Sequence, residues 1–307
     1  MTLRIGYLCM ESVFSVRPLE ALIAAGHDVR FVLRPIGPLS SRSEPVLKRH
    51  RGFDLAMRRM LGLNDDAIRT NPLAVAADRD IPAWLCGNAS TPQVQQLIRR
   101  EKVDLLVVAF FNQLLKPAVL SIPRLGAINF HPSLLPAYRG PAPLFWTYKD
   151  GRDETGLTIH QIAPGEDDGA VLARLPLPLP LGMPGEELVD ELAELAAHNV
   201  VDAVEAVARG AAGVPQDPAA ATRAPRPLEH DLVIDAALPA RRIFHFARGV
   251  GRWNPLWCHA VGDRLRVLDA DSFDDSVALP GEHALVGDLL HLGTVDGVVR
   301  LKVRPIA

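Results

Sequence analysis

Short apolar runs alternate with helical stretches along the first part of the chain. Residues 3–9, LRIGYLC, read as a buried first strand, and residues 16–25 as a helix with Gly26 behind it as a C-cap. Residues 29–33 form a second short strand. This β-α-β opening predicts a parallel sheet with crossover helices. Residues 71–77 read as a short helix, 83–86 as a strand and 92–101 as a helix. Residues 104–110, DLLVVAF, are almost continuously apolar and suit a central strand covered on both faces. Residues 185–209 carry Leu188, Leu192, Leu195, Ala196 and Val200 near the helical period. Residues 210–227 are rich in Ala, Pro and Gly and read as a linker. Beyond them, residues 241–249 predict a helix. Residues 256–260, 264–268, 284–287, 289–292 and 297–303 predict short strands, which together suit a small barrel.

Composition changes this picture little. The 307 residues are 48% hydrophobic and 22% charged, the balance of a soluble globular protein with one large domain and a small one. The formal net charge of -3 gives no global pull toward nucleic acid. One segment is locally basic, with Arg42, Lys48, Arg49, His50, Arg51, Arg58 and Arg59. It reads either as a solvated loop and helix face or as a contact for an anionic acceptor. Cys9, Cys86 and Cys258 are odd in number and far apart, which argues against a disulfide framework and suits a reducing cytoplasm. No signal peptide is evident, no apolar run is long enough to cross a bilayer, and no His, Cys, Asp or Glu set has a recognised metal spacing. The first turn lacks a Gly-x-Gly-x-x-Gly, which disfavours dinucleotide binding.

The chemistry concentrates between residues 127 and 172. Asn129 and His131 are two positions apart in an apolar run, so on a strand they face the same side. A second run, residues 157–162, leads into Gly165-Glu166-Asp167-Asp168-Gly169. If the two strands are neighbours, Asp167 or Asp168 can reach His131. Amide, imidazole and carboxylate would then share one site.

The order of motifs here carries a resemblance. Asn129-x-His131, then Ser133-Leu134-Leu135-Pro136, Tyr138-Arg139-Gly140, Glu154-Thr155-Gly156 and the Gly165-to-Gly169 loop follow one another at compatible spacing. The segment resembles the formyltransferase family that uses 10-formyltetrahydrofolate, whose members act on methionyl-tRNA, glycinamide ribonucleotide, amino sugars and hydroxyornithine. The resemblance implies an α/β fold: a Rossmann-like formyltransferase domain with a parallel sheet, residues 1–208, a linker at 209–229 and an OB-like β-barrel domain at 230–307. It implies 10-formyltetrahydrofolate as co-substrate, with no metal. Aligning the Gly-x-Asp-x-Gly pattern makes Asp167 the catalytic carboxylate beside Asn129 and His131. Phe111, Gln113, Leu114, Leu115, Ser133, Leu134, Gly165, Glu166 and Asp168 are then expected along the folate.

Formyl transfer to an amine passes through a tetrahedral oxyanion. Asn129 suits that oxygen because its NH2 donates without titrating. His131 suits proton transfer, and a neighbouring carboxylate would orient it and favour its charged form. The acceptor is expected to be an amine. A small molecule such as an amino-sugar nucleotide or hydroxyornithine is favoured, and initiator methionyl-tRNA is the alternative. The tRNA enzymes typically carry Gly-Thr-Pro after the first strand, where this chain has Met10-Glu11-Ser12-Val13-Phe14. The module from residue 230 on is balanced in charge, where a tRNA-holding barrel should be positive. A hydrolase releasing formate and a non-catalytic folate- or RNA-binding protein complete the alternatives.

Overall fold

A computed structural model of the chain describes residues 2–36, 46–50, 70–276 and 281–306. Among these residues, compact units are interleaved in sequence. The first comprises Met1–Arg139, Gly156–Leu175 and Val189–Ala221, and the second Gly140–Thr155, Pro176–Leu188 and Thr222–Ala307.

In the first unit, strand β1 (Arg4–Cys9) leads to helix α1 (Val13–Ala24) and β2 (Asp28–Pro35). Ser12 caps α1 by accepting from the Phe14 amide, and Gly26 takes φ +77° just past its end. The helix therefore starts three residues earlier than apolar spacing alone indicated. Then follow β3 (Leu47–His50), α2 (Pro72–Asp78), β4 (Ala83–Cys86), α3 (Pro92–Arg100), β5 (Leu105–Ala109), α4 (Pro117–Leu120) and β6 (Ala127–His131). The chain continues through helix α5 (Pro143–Lys149), which belongs to the second unit, and through β7 (Glu154–Gln161), β8 (Val171–Pro178) and α6 (Gly185–Ala208), whose residues are divided between the units.

Among the described residues the sheet order is β3-β4-β2-β1-β5-β6-β7-β8. The run from β4 to β6 is parallel, as expected for crossover-connected strands. Both flanks of this parallel run are antiparallel. β3 pairs antiparallel with β4, and β7 antiparallel with β6. β3 also corrects the irregular reading of the basic segment: Lys48, Arg49 and His50 lie on this edge strand, where exposed charges blunt further pairing. Arg42, Arg51, Arg58 and Arg59 lie outside the described residues. β5 is buried at every position, and Leu106 and Val108 pack with Leu8, Leu33, Ile98 and Val119. β1 lies between β2 and β5, so the strand order reverses there. In an open α/β sheet that reversal places ligands at the C-terminal strand ends.

In the second unit, α7 (Ala240–Val250) packs on an antiparallel sheet built from β9 (Trp257–Ala260), β10 (Asp263–Asp274), β11 (His283–Val286), β12 (Leu289–Gly293) and β13 (Val298–Pro305). The order among described residues is β11-β12-β13-β10-β9, a curled OB-like sheet. α5 packs against α7 through Phe145 and Phe246, whose rings meet edge to face at 5.3 Å. Among the described residues no helix is long and apolar enough to cross a membrane.

Candidate active site

The site lies at the C-terminal end of β6. The register sets Asn129 opposite His160 and His131 opposite Thr158, so the β6–β7 ladder brings an amide and two imidazoles to one end of the sheet. Thr158 ties the following turn down: its hydroxyl donates to the Ser133 carbonyl at 2.6 Å and accepts from the Leu135 amide at 3.0 Å. The chain then reaches Tyr138, whose carbonyl accepts from His131 Nε2 at 2.9 Å. A carbonyl only accepts, so Nε2 carries a proton and Nδ1 is the nitrogen left to gain or lose the second one. Nδ1 faces Asp167 Oδ2 at 3.5 Å.

The Asp167 carboxylate also meets the neighbouring side chains. Its Oδ1 lies 3.4 Å from Asn129 Nδ2 and 3.6 Å from His160 Nε2. His160 Nδ1 lies 2.8 Å from the Gln161 carbonyl and so must carry a proton. In the neutral ring its Nε2 then accepts from Asn129 Nδ2 at 3.1 Å and fixes which way the amide points. His131 is buried, with 4% of its surface exposed. Burial, the largest influence, pushes its pKa below the usual histidine value. The Asp167 carboxylate raises it, His160 lowers it, and the Tyr138 carbonyl and Glu166 raise it. The expected bias toward the charged form is therefore outweighed by desolvation.

The geometry separates the adjacent acids. Asp167 takes φ +51°, which Asp tolerates, and turns its carboxylate toward β6. Asp168 is exposed and folds back on Gly165, where an added Cβ would come within 2.0 Å of its Oδ2. The loop is held from an unexpected quarter. Gln216 Nε2 donates to the Asp167 and Gly169 carbonyls, both at 2.8 Å, while its Oε1 accepts from the Arg139 guanidinium at 2.8 and 3.0 Å. Gln216 lies in the segment read as a linker. Its neighbour Val214 explains why the segment is ordered, since it forms an isolated bridge with Val171. Replacing Gln216 by Ala should leave the protein folded and lower kcat about tenfold or more, because small misplacements of a reacting group are costly. Single-turnover kinetics beside circular dichroism would check this.

The residues expected along the folate divide. Phe110, which precedes them, takes φ +55° at the end of β5 and is 47% exposed. Leu114 is 63% exposed. Leu115 is buried, and Phe111 packs against the same core cluster. Gln113 is occupied in the scaffold: its Nε2 donates to the Gly87 carbonyl at 2.9 Å and its Oε1 accepts from the Ala89 amide at 2.8 Å. Ser133 is buried, with its hydroxyl donating to the Ala137 carbonyl at 2.7 Å, and Leu134 is half-buried beside Gly156. Glu166 is half-buried and Gly165 exposed. Two residues that matter for the geometry, His160 and Gln216, were not assigned these positions from sequence. His160 had a signal, because it shares the face of Thr158 on a strand pairing with β6. Gln216 had none, lying in an aperiodic stretch. Among the described residues no cluster of three or more His, Cys, Asp or Glu side chains is arranged to hold a metal ion.

An oriented amide, an imidazole with one exchangeable proton and a carboxylate at a sheet's C-terminal end are groups of the kind that acyl-type transfer employs. The comparisons agree in kind. The Formyl transferase family model matches residues 60–204. The methionyl-tRNA formyltransferase of Chloroflexus aggregans (strain MD-66 / DSM 9485) is 32% identical over 282 residues, 91% of this chain and 84% of that protein. That of Moorella thermoacetica (strain ATCC 39073 / JCM 9320) is 31% identical, over 86% of this chain and 78% of its own. WlaRD, a sugar 3N-formyl transferase crystallised with dTDP and 5-N-formyl-THF, shares the fold at a TM-score of 0.69 and 13% identity, covering all of this chain and 98% of its own. The chain belongs to the formyltransferase family.

Proposed function

We propose that this formyltransferase passes the formyl group of 10-formyltetrahydrofolate to the amine of a small acceptor, with Asn129, His131 and Asp167 as its reacting machinery. The observation that carries the reading is the convergence of these side chains within 3.5 Å of Asp167. The amine nitrogen attacks the formyl carbon, and the carbonyl electron pair moves onto oxygen. Asn129 Nδ2 donates to that oxyanion, releasing its longer contact with Asp167. Neutral His131 accepts the amine proton at Nδ1. The bond from carbon to the folate N10 then breaks, and the proton passes to N10. Tetrahydrofolate and the formamide leave, with no net proton taken up. Phe110 and Leu114, apolar and exposed where β5 ends beside β6, are suited to cover the flat pterin. Gln113 and Ser133 act by holding the surrounding loops.

The small acceptor is supported by the turn after β1, where Met10-Glu11-Ser12 stands and Glu11 pairs with Arg34. An acid is poorly suited to a phosphate backbone but can pair with an ammonium. Methionyl-tRNA is the second reading, favoured by the 32% identity to a methionyl-tRNA formyltransferase across most of both chains. Loss of 10-formyltetrahydrofolate should be followed spectroscopically with charged initiator tRNA, an amino-sugar nucleotide and hydroxyornithine in parallel. Turnover confined to a small acceptor supports the first reading. Turnover with tRNA alone, falling steeply with salt, establishes the second. Formate release without acceptor would make the protein a hydrolase.

The pH profile tests His131. Its pKa lies below the usual value, so the neutral base should persist below pH about 6.5. Asp167 raises that pKa, so Asp167→Asn should shift the acid limb of kcat/KM to lower pH while reducing its plateau. A limb that moves upward would exclude this pairing. The same burial links to stability: protons bind the unfolded imidazole first as pH falls, so this contribution is present above about 6.5 and lost below it.

A further inference from the structure

The second unit contains a cationic cleft that shares no residue with the site around Asp167. Trp257, Arg266 and Arg304 stand in one row across β9, β10 and β13, because Arg266 is registered opposite both of the others. Side chains directly opposite share a face, and like charges so placed destabilise a sheet. Neither Arg266 nor Arg304 forms an ion pair with a described carboxylate. Arg264, one step along the same face, lies over the Trp257 ring with Cζ 3.8 Å from the centroid, and its Nη2 donates to Glu229 Oε1 at 2.8 Å. These residues line a cleft of about 630 Å³ whose walls include Leu232 and Ile306.

Two buried donors of the lining residues lack acceptors. Arg266 Nη2 donates to the Asn254 carbonyl at 3.1 Å, but its buried Nε has no hydrogen-bond partner, and neither does the buried Trp257 Nε1. An unpaired buried donor and a repulsive cross-strand pair both cost stability, and an anion bound in the cleft would offset the charge of the pair. Burial, and then the charge of Arg304, already pushes the Arg266 guanidinium below the usual arginine value.

We propose that this cleft binds the phosphate or diphosphate group of a small molecule, with Arg266 and Arg304 as the anion clamp and Arg264 and Trp257 as its wall. Paired guanidinium forks match phosphate oxygens, which lysines match less well. A compact anion fits better than a polymer. Glu229 stands at the cleft, and residues 230–307 carry ten acidic against nine basic residues, so a nucleic-acid backbone extending past the clamp meets no continuous positive track.

Calorimetric titration of the full chain with inorganic pyrophosphate and with ADP, at low ionic strength, tests this. Both should give saturable binding, weakened about tenfold or more by Arg266→Gln and by Arg304→Gln. Arg241→Gln, an exposed position on α7, should leave it unchanged. Binding should survive Asn129→Ala, which separates this cleft from the formyl-transfer site. Arg304→Gln should also raise the thermal midpoint of the ligand-free protein, as expected when a repulsive pair is removed. No saturable heat up to about 5 mM of either probe would overturn the proposal. So would binding that the arginine variants do not alter, or binding of tRNA with neither small anion bound.

Discussion

Asn129→Ala should abolish most turnover while leaving folate binding intact. Loss of one oxyanion donor typically costs about 10²- to 10³-fold in kcat. The effect should fall on kcat rather than KM, because the amide interacts with charge that develops only in the transition state. His160→Ala gives a smaller and diagnostic loss. It leaves both Asn129 hydrogens in place but removes the acceptor, 3.1 Å away, that orients them. About tenfold is expected there, with partial recovery in His160→Asn, whose carbonyl can accept the same hydrogen. Rapid-quench measurement of the chemical step, beside equilibrium binding of a folate analogue, separates these outcomes. Equal losses in both variants would mean that His160 takes part in the chemistry rather than orienting the amide.

Gly169→Ala should be the most damaging small change near the site. A Cβ built at Gly169 falls 1.8 Å from the Gln161 carbonyl oxygen, with Gln161 C at 2.8 Å and the Ala163 nitrogen at 3.2 Å. All are backbone, so no side chain can swing aside. The loop must move, and it carries Asp167 together with the Gly169 carbonyl that Gln216 holds. Forced overpacking costs about 1–3 kcal/mol, and here displacement of the carboxylate adds a loss of rate. Chemical denaturation should show a lower midpoint at unchanged slope, with kcat depressed beyond the Gln216→Ala level. A stable, fully active Gly169→Ala protein would show that the loop tolerates a shift and that Asp167 is not held by it.

Much of this was legible in the sequence. The buried run at 105–109 is a strand because nothing in it can face water, and the alternation through Asn129 and His131 puts both on one side of β6 whatever the rest of the chain does. The helix over residues 185–208 follows from the spacing of its leucines. The ordered motifs between residues 127 and 172 identified the family, which a relative matched over most of both chains bears out.

Other features needed the folded chain. Asp167 and Asp168 are chemically equivalent neighbours; the family pattern pointed to Asp167, and the left-handed turn there is the physical reason that its carboxylate meets the imidazole. The direction of β7 was not written in its residues. Its antiparallel pairing with β6 is what puts His160 beside Asn129. The sign of the His131 shift depends on how completely packing removes water, a property of the whole surroundings rather than of the Asp167 contact. Gln216 illustrates the limit most directly. Local pattern reports how a segment is exposed and how its backbone is biased, whereas a hydrogen bond joining residue 216 to residues 139, 167 and 169 is a long-range closure. Such closures leave no period in the chain, and only the tertiary structure decides them.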